Sequence, residues 1–574
     1  VSAERAGAVP PAASGWTPAL RVWVAAWSLG AVALCAALAL GPLAGIPHVQ
    51  DEVVYTLQAR SLAAGELWSP LPRPLASRVY DFLLDSAKGR AGVFPNGWPA
   101  VLALGERLRA PWLIDPLLAG LVVLLGSALA RHAGGRDAAV LAAPLLALSP
   151  QAALLGASRM SHTLAALLAL LALRAALERE RDFGLRAGLA LGAPLAALAL
   201  VRPWDAVLVA LVVLPVAFAG RPRRTALAGC AAALALGGAL AGAQNLLLTG
   251  DPLTFAQTRY YASSPPPVPG DSWRFAAGCN ALGFGADRGC FMTRGSFGHT
   301  PAKAALDLAG NAGLAGRLWL GTPAVWLLGL AALGWRETRR FALVAWSLLT
   351  ALAAGYAVYW YGGACYGARF WHAALAPMVV AVALGTATAL RRAGLRPWLG
   401  LVLLLPMAFR LERALPEMAR YWGIDDRFAR LEQSWDRAPA LVLVAYRSEL
   451  ALTHPRETTG EDLLAAPHRW RAAWLPAEGP IRFEEYQPEL VDAVEAANPG
   501  RPVWLYEMAA DEREDRLRPL ASADRAPIQR ADLPLPAALP LLPAPRRAGD
   551  LWSGKFRVVE VGDAALVREP GIQR

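Results

Sequence analysis

Apolar runs of about 17–25 residues recur from Val22 to about Phe409, each the length a helix needs to cross a bilayer. They fall at roughly 22–43, 112–130, 138–154, 161–178, 185–201, 204–219, 225–247, 313–334, 341–360, 370–390 and 396–411. A soluble core of 574 residues would not need so many; with 55% hydrophobic and 18% charged residues, the chain reads as an α-helical polytopic membrane protein of about eleven transmembrane helices. The first run is too long for a typical signal-peptide core, so a retained anchor is expected.

The short loops fix an orientation. Arg131 and Arg136, Arg174 to Arg186, Arg221 to Arg224, Arg336 to Arg340 and Arg391 to Arg396 all fall on one side of the expected spans. By the positive-inside rule that side is cytoplasmic. The N-terminus is then cytoplasmic, while outer loops 44–111 and 248–312 and everything past about residue 412 lie outside. The formal charge of +11 is distributed in these loops rather than along a groove, which argues against nucleic acid as a partner.

After about residue 415 the composition becomes that of a soluble domain. Apolar runs at 440–444, 503–506 and 556–561 read as buried strands, predicting a small extracytoplasmic α/β domain over 416–574 with a Pro-rich segment at 534–545. Residues 1–415 form the transmembrane domain. Of the five cysteines, Cys35 and Cys230 lie in spans as packing residues. Cys279 and Cys290 share an outer loop and are candidates for a disulfide if it faces an oxidising compartment.

Just beyond the first span stands Asp51-Glu52. Helical spacing over 52–64 places Asp51, Tyr55 and Gln58 on one face and leaves Val54, Leu57 and Leu62 for lipid, as in a helix lying in the interface. A second short helix is expected at about 98–109. Acids at the water–lipid boundary can stay ionised and still meet the headgroup of a lipid-borne substrate. The membrane-associated ionisable residues collect at the same outer ends: Asp115, Arg159, His162, Arg202, Asp205, Arg317, Arg369 and His372. A transporter would instead place them at mid-membrane.

Arg369 ends the phrase Tyr361-Gly362-Gly363-Ala364-Cys365-Tyr366-Gly367-Ala368-Arg369. Glycines let a backbone approach a ligand, and a guanidinium fork pairs with phosphate at two points. Arg202 suits either a phosphate contact or a snorkelling boundary residue. His162 and His299 suit either a headgroup or metal contact or a structural boundary histidine. No histidine pair has metal-ligand spacing, so a divalent metal is left open and no other cofactor is indicated.

The N-terminal span, the external Asp-Glu followed by Tyr55 and Gln58-Ala59, the Ser161-His162-Thr163 opening of a span and the Gly-Gly-to-Arg369 phrase together resemble the GT-C glycosyltransferases. The bacterial protein-O-mannosyltransferase and aminoarabinose-transferase group is the nearest match, over roughly residues 20–411 in architecture and short phrases in sequence. The resemblance implies transfer of a single sugar from a polyprenyl-phosphate carrier to an acceptor hydroxyl on protein, lipid or polysaccharide, at the outer face of a bacterial cytoplasmic membrane. It implies Asp51 as general base with inversion, Glu52 orienting the site or binding acceptor, and Arg369 with Arg202 or Arg159 neutralising the leaving phosphate. Tyr55, Gln58, His162 and His299 complete the candidate substrate contacts. The chain departs from the aminoarabinose-transferase pattern in having no lysine near the spans. Two other functions remain open: an O-antigen-ligase-like transfer of a whole glycan, for which loop 248–312 speaks, and a non-enzymatic role as transporter or scaffold.

Overall fold

The computed structural model describes residues 16–70, 82–177, 184–219, 224–263, 278–289, 298–361, 363, 365–418, 421, 426–446, 480–486, 490–508, 515–525, 557–559 and 566–568. The Pro-rich 534–545 segment, Cys290 and stretches 264–277 and 290–297 of the second outer loop lie outside these residues.

Thr17 caps the first helix, α1 (Pro18–Leu40). Its hydroxyl accepts the Leu20 N–H at 3.2 Å, and Pro18 occupies the first turn, where a missing N–H costs nothing. After α2 (Gln50–Ala63), a β1–β2 hairpin (Leu83–Ser86, Gly89–Gly92) and α3 (Gly97–Arg107), the chain enters α4 (Ile114–Ala147). Gly135 breaks α4 with φ 80°, and a Cβ on Gly126 would lie 2.5 Å from Leu146 Cδ1. In an unbroken helix those residues would stand about 30 Å apart. The chain therefore doubles back at Gly135, giving two antiparallel arms where 112–130 and 138–154 were expected.

Next come α5 (Pro150–Ala157), α6 (His162–Leu177), α7 (Leu185–Val201), α8 (Pro203–Phe218), α9 (Arg224–Thr249) and the short α10 (Ala256–Ser263). The single span expected at 313–334 is replaced by two helices. The first, α11 (Pro301–Leu320), starts inside the expected outer loop, where the Thr300 hydroxyl caps Lys303 N–H at 3.2 Å. Gly321 ends it at φ 80°, and the chain turns by 85° into α12 (Trp326–Gly334). A side chain at Gly321 would stand 2.5 Å from the Pro406 carbonyl carbon, so close packing and left-handed backbone both call for glycine there. Helices α13 (Arg336–Ala357) and α14 (Leu375–Arg392) follow, α14 buried along nearly its whole length. The region 396–411 is a 3-10 turn, Pro397–Leu403, leading into α15 (Leu404–Met418), so this helix crosses the expected domain boundary at 415/416.

Five of these helical segments are long and apolar enough to cross a membrane, and the bent pairs α5/α6 and α11/α12 pass the same test jointly. Leu29, Leu211 and Leu327 are 69%, 64% and 66% exposed on the outside of the bundle. In water such a surface would associate; among acyl chains it is at home. The chain is a multi-pass membrane protein.

Beyond the short helix α16 (Arg427–Gln433) come β3 (Ala440–Tyr446), β4 (Ile481–Glu485), β5 (Val503–Met508) and β6 (Arg516–Pro519). They form one sheet in the order β4-β3-β5-β6, parallel except for the β5–β6 edge. The third expected strand, 556–561, is described only over Arg557–Val559, which pairs with Leu566–Arg568 in a separate ribbon.

The sheet changes the reading of α2. Val53 packs with Phe428, Val442, Phe483 and Tyr506, and Leu57 packs on both this cluster and the membrane core. Val54, expected to face lipid, is 2% exposed, and Leu62 also packs on the membrane core. The helix is held between the bundle and the C-terminal sheet rather than lying on the bilayer, because the bundle core takes Val54 and Leu62, the sheet takes Val53, and the two share Leu57.

Candidate active site at the head of the second helix

Asp51 and Glu52 share the first turn of α2, yet their surroundings differ. Glu52 is 1% exposed and accepts four hydrogen bonds. One oxygen takes the backbone N–H groups of His48 (2.5 Å) and Val49 (3.3 Å); the other takes Arg159 N–H (3.1 Å) and the Tyr366 hydroxyl (2.8 Å). With both oxygens so occupied, this carboxylate fastens the helix entry to two distant parts of the chain. It is a positioning residue. Glu52→Gln puts an NH₂ against at least one backbone N–H, and should cost about 2–4 kcal/mol. Thermal unfolding of purified protein checks this; an unchanged midpoint would remove the role.

Asp51 is 21% exposed, and among the described residues its one ion-pair partner is Arg369, whose Nη1 lies 3.2 Å from Oδ2. Arg369 opens the 3-10 turn Arg369–Ala374. Its guanidinium stands 5.1 Å from the Tyr361 ring centroid and 5.2 Å from that of Phe370. Its Nε and Nη1 have no hydrogen-bond partner: the contact to Asp51 has the distance of an ion pair and lies off the hydrogen-bonding direction. A buried guanidinium with idle donors is equipped to take an anionic oxygen.

Arg202, between α7 and α8, approaches the same aromatic group, 5.1 Å from the Phe370 centroid. Its Nε donates to Asp205 at 2.7 Å and Nη2 to Tyr356 at 3.1 Å, while the Tyr356 hydroxyl donates to Asp205. Phe370 is the hub: Tyr361, Tyr356, Tyr359 and His162 pack on its ring at 4.2, 4.8, 5.6 and 6.1 Å. His162 is buried with both ring nitrogens unpartnered, and His372 leaves Nδ1 unpartnered. Tyr55 reaches this group from α2, its hydroxyl 3.4 Å from Ser161 Oγ. Burial pushes the Tyr55 phenol up to about 12, with the Asp51 carboxylate adding to the rise, and burial and Asp51 do the same to Tyr359. Both therefore stay protonated donors at neutral pH.

Three expected substrate contacts are placed elsewhere. Gln58 Nε2 donates to Phe94 O (2.9 Å) and Asn96 Oδ1 (2.8 Å), holding the turn before α3; Gly92 leaves it room, since a Cβ there would stand 2.5 Å from Gln58. Arg159 Nη1 donates to Thr56 (3.2 Å) and Nη2 to Gly45 O (2.5 Å), so it clamps α2 from behind. His299 Nε2 lies 2.9 Å from Ala357 O and the ring stacks on Phe284 at 5.3 Å, pinning the outer loop to the end of α13. In that loop Cys279 is disulfide-bonded, while Cys35, Cys230 and Cys365 are free thiols.

The glycines before Arg369 also have another task than ligand approach. A Cβ on Gly363 would meet Leu314 Cδ1 at 2.4 Å, and Gly363, Tyr366 and Gly367 all take positive φ (86°, 54° and 64°). They make a tight turn. Tyr366 is a non-glycine residue in a strained region and is held there by Tyr421, a residue that gave no signal in sequence. The Tyr421 hydroxyl accepts Tyr366 N–H at 2.6 Å, the rings stack at 4.6 Å, and the Tyr421 carbonyl oxygen lies 3.0 Å from His48 Nδ1. Tyr421→Phe leaves that buried N–H without its acceptor, worth about 1–3 kcal/mol, and loosens the turn that aims Arg369. Activity should fall roughly tenfold or more at saturating substrate; an unchanged rate would separate this turn from the site.

No protein-family model matches the chain, and the comparison with curated proteins gave no match. Among solved structures, the chain is similar to ArnT from Cupriavidus metallidurans bound to undecaprenyl phosphate, at 13% identity and a TM-score of 0.46, covering 88% of this chain and 99% of that one. It is similar to the Archaeoglobus fulgidus oligosaccharyltransferase at 14% identity and a TM-score of 0.40, over 73% of this chain. The chain spans 62% of that protein's length. A third similar structure is the mycobacterial arabinofuranosyltransferase AftD, at 18% identity and a TM-score of 0.37, over 86% of this chain and 36% of that one.

Among the described residues, a divalent metal finds no ligand set. Glu52 has both oxygens occupied, Asp51 faces a guanidinium, and no group of three His, Cys, Asp or Glu among the described residues could hold an ion.

Proposed function

We propose that the protein is a glycosyltransferase that moves one sugar from a polyprenyl-phosphate carrier to an acceptor hydroxyl at the extracytoplasmic face of the membrane. The observation that carries the reading is the Asp51–Arg369 pair: a partly exposed carboxylate beside a buried arginine with idle donors, at the end of a bundle whose flanks suit acyl chains.

The carboxylate and guanidinium suit the two charges such a reaction develops. Asp51 takes the proton of the acceptor hydroxyl as its oxygen bonds to the anomeric carbon. The bond from that carbon to the phosphate oxygen breaks, and the phosphate leaves on its lipid with an added negative charge. Arg369, with Arg202 beside the same Phe370 ring, neutralises that charge. One displacement inverts the anomeric centre. Arg369 is the ion-pair partner of Asp51, so a phosphate that draws the guanidinium to itself frees the base as the donor seats.

The test is consumption of a radiolabelled polyprenyl-phosphate sugar by protein purified in detergent, with label appearing in an acceptor. Retention of all label on the carrier across a panel of sugars and acceptors would overturn the reading. For orientation, a reporter fused after residue 430 is expected to be active outside the cytoplasm, and cytoplasmic activity would invert it.

A further inference from the structure

Away from Asp51, the junction of α11 and α15 gathers three arginines. Arg317 lies in the last turn of α11, and Arg410 and Arg413 lie on α15. The charges of Arg317 and Arg413 both act on Arg410. Arg410 Nε donates to Gly321 O at 3.4 Å, which ties α15 to the end of α11. Arg413 lies 4.2 Å from the ring centroid of Phe409, and the Arg317 guanidinium folds back to within 3.7 Å of where a Cβ on Gly313 would stand. Among the described residues, none of the three forms an ion pair. Like charges held together raise the free energy of the site until an anion joins them.

What surrounds them identifies the anion. Val402, in the 3-10 turn before α15, and Leu405 and Phe409 on α15 are 60%, 68% and 49% exposed, and this belt runs up to Arg410 and Arg413. The exposed positions along α11, including Ala305, Leu306 and Ala309, carry no charge. Guanidiniums at the upper edge of an uncharged, lipid-facing belt match a molecule with a phosphate at one end and hydrocarbon below it. A phosphate free in solution would gain nothing from the belt.

We propose that Arg317, Arg410 and Arg413 form a binding site for the phosphate of an anionic membrane lipid, with its acyl chains along Val402 and Leu405. Arg410 and Arg413 follow Phe409 in α15, at the level where the headgroup layer would meet the hydrocarbon. The bound lipid would fill the angle that the 85° bend between α11 and α12 opens beside α15. The site is independent of the transferase reading.

The experiment uses the full chain in detergent with phosphatidylglycerol or phosphatidylcholine added, counting retained lipid by native mass spectrometry. Phosphatidylglycerol should be retained in preference, and R317Q/R410Q/R413Q should lower its retention roughly tenfold. Excess inorganic phosphate should not displace it. Equal retention of the two lipids, an unchanged triple variant, or displacement by inorganic phosphate would each overturn the proposal. Should the triple variant not fold, R413Q provides the same reading with a smaller loss, because that side chain packs on the Phe409 ring and does not tie α15 to α11 as Arg410 does.

Discussion

Asp51→Asn should slow sugar transfer about a thousandfold or more while leaving a folded protein in the membrane. Asparagine has the same shape as aspartate and can still accept a contact from Arg369, but it cannot take a proton from an alcohol. A positioned general base is worth about 10²–10⁴-fold in rate. The pair it interrupts is partly solvated, with Asp51 21% exposed, so the stability change should stay within about 1–2 kcal/mol. The measurement is the transfer rate from a radiolabelled donor beside the thermal midpoint of the same preparation. A rate within tenfold of the parent protein would take the base away from Asp51; a collapsed midpoint would make it structural.

Arg369→Ala should cost transfer about 10²–10³-fold, the scale on which one preorganised donor to a developing anion acts. The loss should weigh on the donor: its KM rises and kcat falls, while the acceptor KM changes little. Arg369→Lys should recover only part, because an ammonium is a point charge and cannot offer the planar fork that two rings hold in place. Equal effects on donor and acceptor would show that Arg369 shapes the cleft without meeting the phosphate.

Hydropathy and arginine placement make the bundle legible in sequence, and the charge pattern of the loops puts Asp51 and Arg369 on one side, where the structure pairs them. The bends were harder to see. The run 313–334 reads as one span despite Arg317 and the Gly321-Thr322-Pro323 turn signal within it, and the contact of Gly321 with Pro406 on another helix shows why the chain breaks there. The split between Asp51 and Glu52 was equally hidden. Two adjacent acids look alike until Glu52 is found accepting from His48, Val49, Arg159 and Tyr366. The same holds for Arg159 and Gln58, whose partners are backbone carbonyls and a neighbouring amide. Side chains that bind main chain leave no trace in residue pattern, whereas charge placed by a membrane does. Tyr421 escaped notice for a related reason, since it lies past the last span in a stretch with no motif of its own.

The bond between Glu52 and Tyr366 joins residues 314 positions apart, and that between His48 and Tyr421 joins residues 373 apart. During synthesis the first of these acids emerges and waits while nearly every later helix is threaded into the bilayer. Until the stretch bearing Tyr366, Arg369 and Tyr421 has arrived, Asp51 has neither its arginine nor a fixed helix entry. On the proposed reading, a chain that stops short of Tyr366 lacks both the arginine and the fixed helix entry that transfer needs, and the site is complete only when these two distant stretches meet.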